Sequence, residues 1–323
     1  MAIERSGFPQ LVTKTAYKYF FENYDRLEPV YPKIFEVENS TGAYEQTTTA
    51  IKAGQINEKK EGSEVQLGNA MEGFTVIGKN RTFEGAYEFT LEIVEDASPE
   101  KIMNIVQAVA SGWAEGVVAS KETYAAKFFN YGGYTAGHDI FNNSITNVVT
   151  DPTGDLCYDG LPFFNLTGNR RYSKGGGSYY NGLASALSSA NLQTAYSLMT
   201  ATNNRNERDE IVSLKPDTLL IPPALRFSAK NILEAERIVG SANNDINSTQ
   251  NLVAPIEWQY LTDTDAWFLG KAKGGLVWQE RKQPIIETVQ DFKTGNYQVK
   301  ITARWGARME NWRYWVGSQF ATS

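Results

Sequence analysis

The sequence predicts an α+β fold, and three stretches carry that prediction. Leu214–Leu269 changes period from strand to helix and back to strand, with hard punctuation at each switch. One helical pattern runs from Ser98 to Gly132-Gly133. After Lys271–Gly275 the chain reads as four strands, Leu276–Gln279, Ile285–Phe292, Tyr297–Arg304 and Trp312–Val316.

The chain is 323 residues long and 41% hydrophobic, enough to bury a sizeable core. Aromatic residues make up 12%, which argues against disorder and toward extensive packed interfaces. A net charge of -6 argues against a surface whose main task is gripping phosphate backbones. Cys157 is alone, so no intramolecular disulfide forms and a cytosolic origin fits. No apolar run approaches the ~18 to 20 residues of a membrane span, and MAIERSGFPQ lacks the apolar core of a signal peptide. A soluble chain made in place is expected.

In order, Pro9–Leu27 has amphipathic helical spacing through Leu11, Tyr19, Phe20 and Tyr24 before Pro29 and Pro32 force extended chain, and residues 1–42 read as an arm. Tyr44–Ile51, Phe74–Ile77 and Phe83–Val94 are β-rich, the last two parted by Gly78-Lys79-Asn80. The run Glu58-Lys59-Lys60-Glu61-Gly62 has nothing apolar to bury, so the hairpin that carries it is expected to leave the globule. Ser98 caps the long helix, with Pro99 in its first turn and Glu100 at the positive end of its dipole. Ile102, Val106, Val109, Trp113, Val117, Ser120, Tyr124 and Phe128 then mark a face roughly thirty residues, or ~45 Å, long. Gly112 and Gly116 weaken helicity by about 1 kcal/mol each and predict a closely packed neighbour.

Tyr131–Asn181 reads as long loops, with the triple glycine 175–177 its most flexible point, and a helix is expected over Ser188–Thr202. Leu219-Leu220-Ile221 is a buried strand stopped by Pro222-Pro223. Leu225, Ala229, Ile232, Leu233 and Glu236 continue as a helix to Gly240, an Asn-rich loop spans 241–251, and two further strands end at Leu269. Val299, Ile301 and Ala303 alternate with Lys300, Thr302 and Arg304, implying a half-exposed sheet.

Little here resembles a catalytic centre. His138 is the only histidine, and neither HExxH nor CxxC occurs, which removes the ordinary zinc sites. Asp263 with Asp265, and Asn243, Asn244, Asp245 and Asn247, offer oxygen ligands without the calcium-loop spacing. The triple glycine lacks the Lys-Ser/Thr of a phosphate loop. The Arg- and Trp-rich tail from Arg304 to Trp315 reads as an aromatic sheet face rimmed by arginine.

The order of arm, long hairpin, spine helix, compact α/β unit and returning strands resembles the major capsid proteins of tailed bacteriophages with the Hong Kong 97-like fold, closest to Mu-like major head subunits. LKPDTLLIPPAL at 214–225, ILEAERIVGSANNDIN at 232–247 and YLTDTDAWFL at 260–269 carry the residue match, over about a fifth of the chain. DGLPFFN at 159–165 is a weaker match, lacking the family's following histidine. The resemblance implies an arm (1–42), an extended β-hairpin loop over a neighbouring subunit (43–97), the spine helix of a peripheral domain (98–131), an axial domain (132–273) and a returning peripheral sheet (274–323). It implies hexamers and pentamers of one chain in an icosahedral shell around double-stranded DNA held without sequence-specific binding. Neither an active site nor a cofactor is implied. Assembly in the host bacterial cytoplasm, a separate scaffolding protein, a portal and decoration proteins complete the expectation, with no membrane and no inter-subunit isopeptide bond. Candidate inter-subunit contacts are Glu58, Lys59, Lys60, Glu61, Lys79, Arg81, Asn243, Asn244, Asp245 and Asn247. An encapsulin-like compartment shell shares the fold, and a carbohydrate-binding or carbohydrate-active protein would also explain the aromatic content.

Overall fold

The computed structural model describes residues 8–51, 58, 61, 62, 64, 71–96, 98–135, 157–237 and 245–322. Helix α1 (Phe8–Tyr24) forms where the spacing places it, but it is packed rather than a free arm. Val12, Ala16 and Phe20 are buried, and Thr13 bonds the Thr288 hydroxyl at 2.8 Å. A single turn, α2 (Tyr31–Ile34), leads into β1 (Glu36–Asn39), β2 (Tyr44–Ile51), β3 (Met71–Lys79) and β4 (Arg81–Phe89). The expected strand Phe83–Val94 stops at Phe89 and becomes α3 (Leu91–Asp96). Thr90 acts as its N-cap, its hydroxyl accepting the Ile93 N–H at 3.4 Å, while Asn296 Oδ1 accepts the Leu91 N–H at 3.1 Å.

Helix α4 (Pro99–Asn130) has 32 residues and is ~48 Å long. Ser98 Oγ accepts the Lys101 N–H, as a cap at that position should. Its buried stripe is Ile102, Val106, Ala110, Ala114, Val117, Lys121, Tyr124 and Phe128. Val109, Trp113 and Ser120, expected on that face, are only half-buried. Among the described residues the close neighbour expected at Gly112 and Gly116 is missing: a Cβ at either would meet none of their atoms within 4 Å. Contrary to the reading of its sequence, α4 is also long and apolar enough to cross a membrane, with a mean hydropathy of 1.2 over 18 residues. Its inner side nonetheless carries Lys121, Glu122 and Lys127 in a protein core, which fits a spine for surrounding layers.

Two-residue strands β5 (Arg171–Tyr172), β6 (Ser178–Tyr179) and β7 (Gly182–Leu183) precede α5 (Ser189–Ser197), which is capped by Ser188 and runs into a π-turn at Leu198–Thr202. Strand β8 (Thr218–Ile221) ends at the paired prolines, a 3₁₀ turn at Pro223–Leu225 opens α6 (Arg226–Glu234), and β9 (Ala254–Glu257) and β10 (Trp267–Gly270) follow. The two long strands are β11 (Leu276–Gln290) and β12 (Tyr297–Met309). The break expected after Gln279 is a pair of register shifts between Glu280 and Ile285 within β11, so two predicted strands are one bulged strand. Strand β13 (Trp315–Ser318) closes the chain after a 3₁₀ turn at Trp312–Tyr314.

The long sheet has the order β1-β11-β12-β4, with Ile286 opposite Ile301 and Phe89 opposite Tyr297. The compact sheet has the order β7-β13-β10-β8-β9. The last strand therefore leaves the long sheet that residues 274–323 were expected to complete, and pairs antiparallel with β10 and parallel with β7. The physical reason is two-sided burial. In β13, Trp315 enters the core around α4 and Val316 the core under α5 and α6; in β8, Leu220 serves the first and Leu219 and Ile221 the second. Strands covered on both faces read as continuous apolar runs.

Candidate functional site

Strands β2 and β3 form a two-stranded sheet of their own. Its strands pair from Tyr44 opposite Lys79 to Ile51 opposite Met71. Its base crosses the long sheet at Gly306, where any side chain would collide with the Lys79 carbonyl. Beside the crossing, Asn80 donates to Ser40 Oγ at 2.6 Å and to the Gly42 carbonyl at 2.9 Å. Glu45 accepts from the Ser40 hydroxyl at 2.6 Å and from the Thr41 and Gly42 N–H groups at 3.0 and 3.2 Å. These bonds, the Ser40 hydroxyl first, hold its carboxyl below the usual range. Gly78-Lys79-Asn80 is thus a hydrogen-bonded corner, with Lys79 exposed and the Arg81 guanidinium 5.8 Å from the Tyr124 ring centre.

Glu58 and Glu61 are exposed, while Lys59 and Lys60 lie outside the described residues. Asp245 is exposed, and Asn243 and Asn244 also fall outside that set. Asn247 departs from its expected role as a subunit contact. It is 6% exposed and donates to the Ile232 and Ala235 carbonyls at 2.7 and 2.8 Å, while its oxygen accepts from Thr249. Its amide fastens the loop to the end of α6, where helix carbonyls lack helical partners.

Behind the hairpin, Phe74 of β3 stacks on Tyr158 with ring centres 4.1 Å apart, and Lys174 Nζ stands 4.8 Å from the Phe74 ring centre. Tyr158 donates to Glu207 Oε1 at 2.8 Å and accepts from Arg313 Nη1 and Trp312 Nε1 at 2.9 and 3.0 Å; Arg313 also pairs with Glu207. Burial disfavours the Arg313 cation, but Tyr158 and Glu207 outweigh it and raise its pKa. Two of the tail's three arginines therefore do not form a rim: Arg308 and Arg313 are each 4% exposed and paired with glutamates, while Arg304 is half-buried.

Next to this knot, Asp209 at φ 63° accepts from Ser173 Oγ and Tyr179 Oη, both at 2.6 Å, and from the Gly177 N–H at 2.9 Å. Burial pushes its carboxyl up, yet the bonds from Ser173, Tyr179 and Gly177 prevail and leave it low, while burial and then the bond to Asp209 push the Tyr179 hydroxyl up to about 12. A Cβ at Gly175 or Gly177 would collide with this carboxylate. The triple glycine expected to be flexible is a tight cradle around Asp209.

A third cluster ties three layers to α4. Lys121 Nζ donates to Glu280 Oε1 at 2.6 Å and to Tyr24 Oη at 3.0 Å, and Trp278 Nε1 donates to the same Glu280 oxygen at 2.8 Å. The adjacent Glu122 accepts from the Val30 and Tyr31 N–H groups and from Trp258 Nε1. Burial raises the Glu122 pKa despite those donors. Sequence reasoning passed over both; the available signal was a charged pair interrupting the stripe between Val117 and Tyr124.

His138 lies outside the described residues. Among the described residues no group of three or more His, Cys, Asp or Glu is placed to hold a metal. Burial pushes the Cys157 thiol up to about 11, against the reactivity of a nucleophile. Asp263 is raised by burial and by its neighbour Asp265. The described residues thus give a clamped strand pair, β2 with β3, and several bonded side-chain clusters.

A family model described as phage capsid protein matches residues 73–318. The chain belongs to the phage capsid protein family. Solved structures agree on the fold: the capsid of a native GTA particle superposes with a TM-score of 0.54 at 10% identity, covering 92% of each chain. Mycobacterium phage Patience gives 0.52 at 12% identity, over 99% of this chain and 89% of that one. The capsid of Myoviridae phage XM1 gives 0.50 at 13% identity, over 90% and 91%. No curated protein matches by sequence. The Hong Kong 97-like capsid fold and the role of major capsid subunit, both implied by the resemblance, hold for this chain.

Proposed function

We propose that copies of this subunit join as hexamers and pentamers into a closed icosahedral shell around double-stranded DNA, assembled in the host cytoplasm. In this reading residues 132–273 converge at the five- and six-fold axes, and the helix at 98–131 with the long sheet forms the peripheral domain. The segment 43–97 reaches over a neighbouring subunit, and residues 1–42 run beside the spine. The observation that carries the proposal is the capsid-family match over 73–318, joined to exposed Glu58 and Glu61 between the paired strands β2 and β3. Closed shells built from heterologous contacts need such extended surfaces. The net charge of -6 suits a container that must not hold DNA tightly, since each phosphate contact by Lys or Arg would add counterion-release affinity.

The role is structural and needs no catalysis or cofactor. A separate scaffolding protein, a portal and decoration proteins are the expected partners. Electron microscopy of the purified protein tests the reading. Closed particles with five- and six-fold capsomers are expected, and uniform monomers or small oligomers across a range of salt would refute it. Replacing Glu58–Gly62 by a Gly-Ser link should leave the subunit folded and make shells dissociate at lower denaturant; shells of unchanged stability would reduce this segment to a solvated loop.

A further inference from the structure

Asn181-Gly182 is the one Asn-Gly pair in the chain, and the structure demands both residues. Asn181 is 0% exposed, and its side chain joins separate segments. Its amide nitrogen donates to the Phe163 carbonyl at 2.8 Å and to the Trp315 carbonyl at 3.1 Å, while its oxygen accepts the Asn165 N–H at 3.1 Å. The residue thereby ties the loop at Phe163–Asn165 to the start of β13. A glycine must follow, because a Cβ at 182 would lie 2.7 Å from the Phe320 ring and 2.8 Å from the Asn165 carbonyl. Packing thus requires a chemically labile dipeptide at the seam where β7 meets β13.

In a free chain the Gly182 nitrogen, unhindered by a Cβ, can attack Asn181 Cγ. The new N–C bond closes a succinimide, the bond from Cγ to the amide nitrogen breaks, and that nitrogen leaves as ammonia with the Gly182 proton. Water then opens the ring at either carbonyl, giving aspartate or isoaspartate. The fold blocks the first step. The Gly182 N–H donates to the Asn165 carbonyl at 2.7 Å, the Gly317 N–H donates to the Asn181 carbonyl at 3.0 Å, and the side-chain amide cannot turn without breaking its own bonds. Neither product fits this site. A carboxylate at 181 would set acceptor against acceptor at the Phe163 and Trp315 carbonyls and bury a charge. Isoaspartate would lengthen the backbone and shift the pairing of Gly182 with Gly317. We infer that Asn181 is a deamidation site open only in the unfolded chain, and that the reaction removes that chain from the pool able to fold. This filter acts on the single chain and does not depend on the assembly reading above.

The test holds the purified protein in mildly alkaline buffer with and without guanidinium chloride and follows residue 181 by peptide mass mapping. Conversion should be at least about a hundredfold slower without denaturant, since a buried group reacts in proportion to the open fraction of the chain. After dilution of the denatured samples, the soluble refolded fraction should carry asparagine at 181, and the precipitate should hold the aspartate and isoaspartate. Asn181→Asp, expressed directly, should give at least about tenfold less soluble subunit than wild type, and this yield decides the matter if wild type does not refold on dilution. Equal conversion with and without denaturant, or none in either, would overturn the site. Soluble chains converted at 181 in the same proportion as the whole sample, or a soluble Asn181→Asp subunit with wild-type circular dichroism, would overturn the filter.

Discussion

The Asp209 cradle allows a quantitative prediction for Asp209→Ala. The carboxylate accepts three hydrogen bonds, from Ser173, Tyr179 and Gly177. Bonds to charged groups contribute about 1.5–3 kcal/mol each when buried, and partial exposure brings each to about 1 kcal/mol here. Alanine at φ 63° adds about 1 kcal/mol of backbone strain that Asp and Asn tolerate better. The sum is about 4 kcal/mol, or ~8 °C in the melting temperature of unassembled subunits at roughly 2 °C per kcal/mol. Asp209→Asn keeps the backbone preference and can still accept from Ser173 and Tyr179, so about 1 kcal/mol and ~2 °C are expected. Gly175→Ala should be more damaging in wild type than in the Asp209→Ala background, because most of its clash is with the carboxylate. Because the folded Asp209 pKa is lowered, its stabilisation is fully present above the unfolded value of about 3.9 and is lost as pH falls through the lower folded value. The gap between wild type and Asp209→Asn should hold from pH 7 to about 5 and close below about 4. Calorimetry or a melt followed by circular dichroism reads all of this. Asp209→Ala within about 1 °C of wild type, or Asn as harmful as Ala, would refute the cradle.

Lys121→Met should lower the urea-unfolding free energy by about 3–5 kcal/mol, because Glu280 is left as a buried carboxylate without its cation. The Lys121→Met/Glu280→Met double variant should recover part of that loss, and a double variant worse than the sum of the single ones would argue against the pairing. Cys157, with its thiol pushed up to about 11, should resist iodoacetamide at pH 8 in the native subunit and react after unfolding in urea. Native labelling at the rate of the unfolded chain would contradict its burial beside Met309.

Strong local signals were legible in the chain. Ser98 and Pro99 mark the start of α4, the Pro222-Pro223 pair ends β8, and the alternation through Val299, Ile301 and Ala303 lies on the inner face of β12. Each is decided within a few residues, by a cap, a missing donor or a pleat, so no distant partner is needed. Periodicity was less reliable where neighbours decide burial. Trp113 shares the α4 pattern yet borders an open groove, and Ala114, one residue on, takes the core position.

The family, too, was recoverable from sequence, because order of elements and residue wording are properties of the chain. Only the tertiary structure placed β13 in the compact sheet, since its parallel pairing with β7 sets Gly317 opposite Gly182 through hydrogen bonds that no local pattern encodes. It alone turned the triple glycine from a flexible link into a cradle, because the carboxylate that demands those glycines comes from position 209. It removed Asn247 from the contact surface, since whether an amide faces a neighbour or its own helix end depends on where the loop folds back. Sequence by itself determined the order of the main elements, among them α4, β8 and β12; which faces are covered, and therefore which remain for another subunit, is a property of the packed fold.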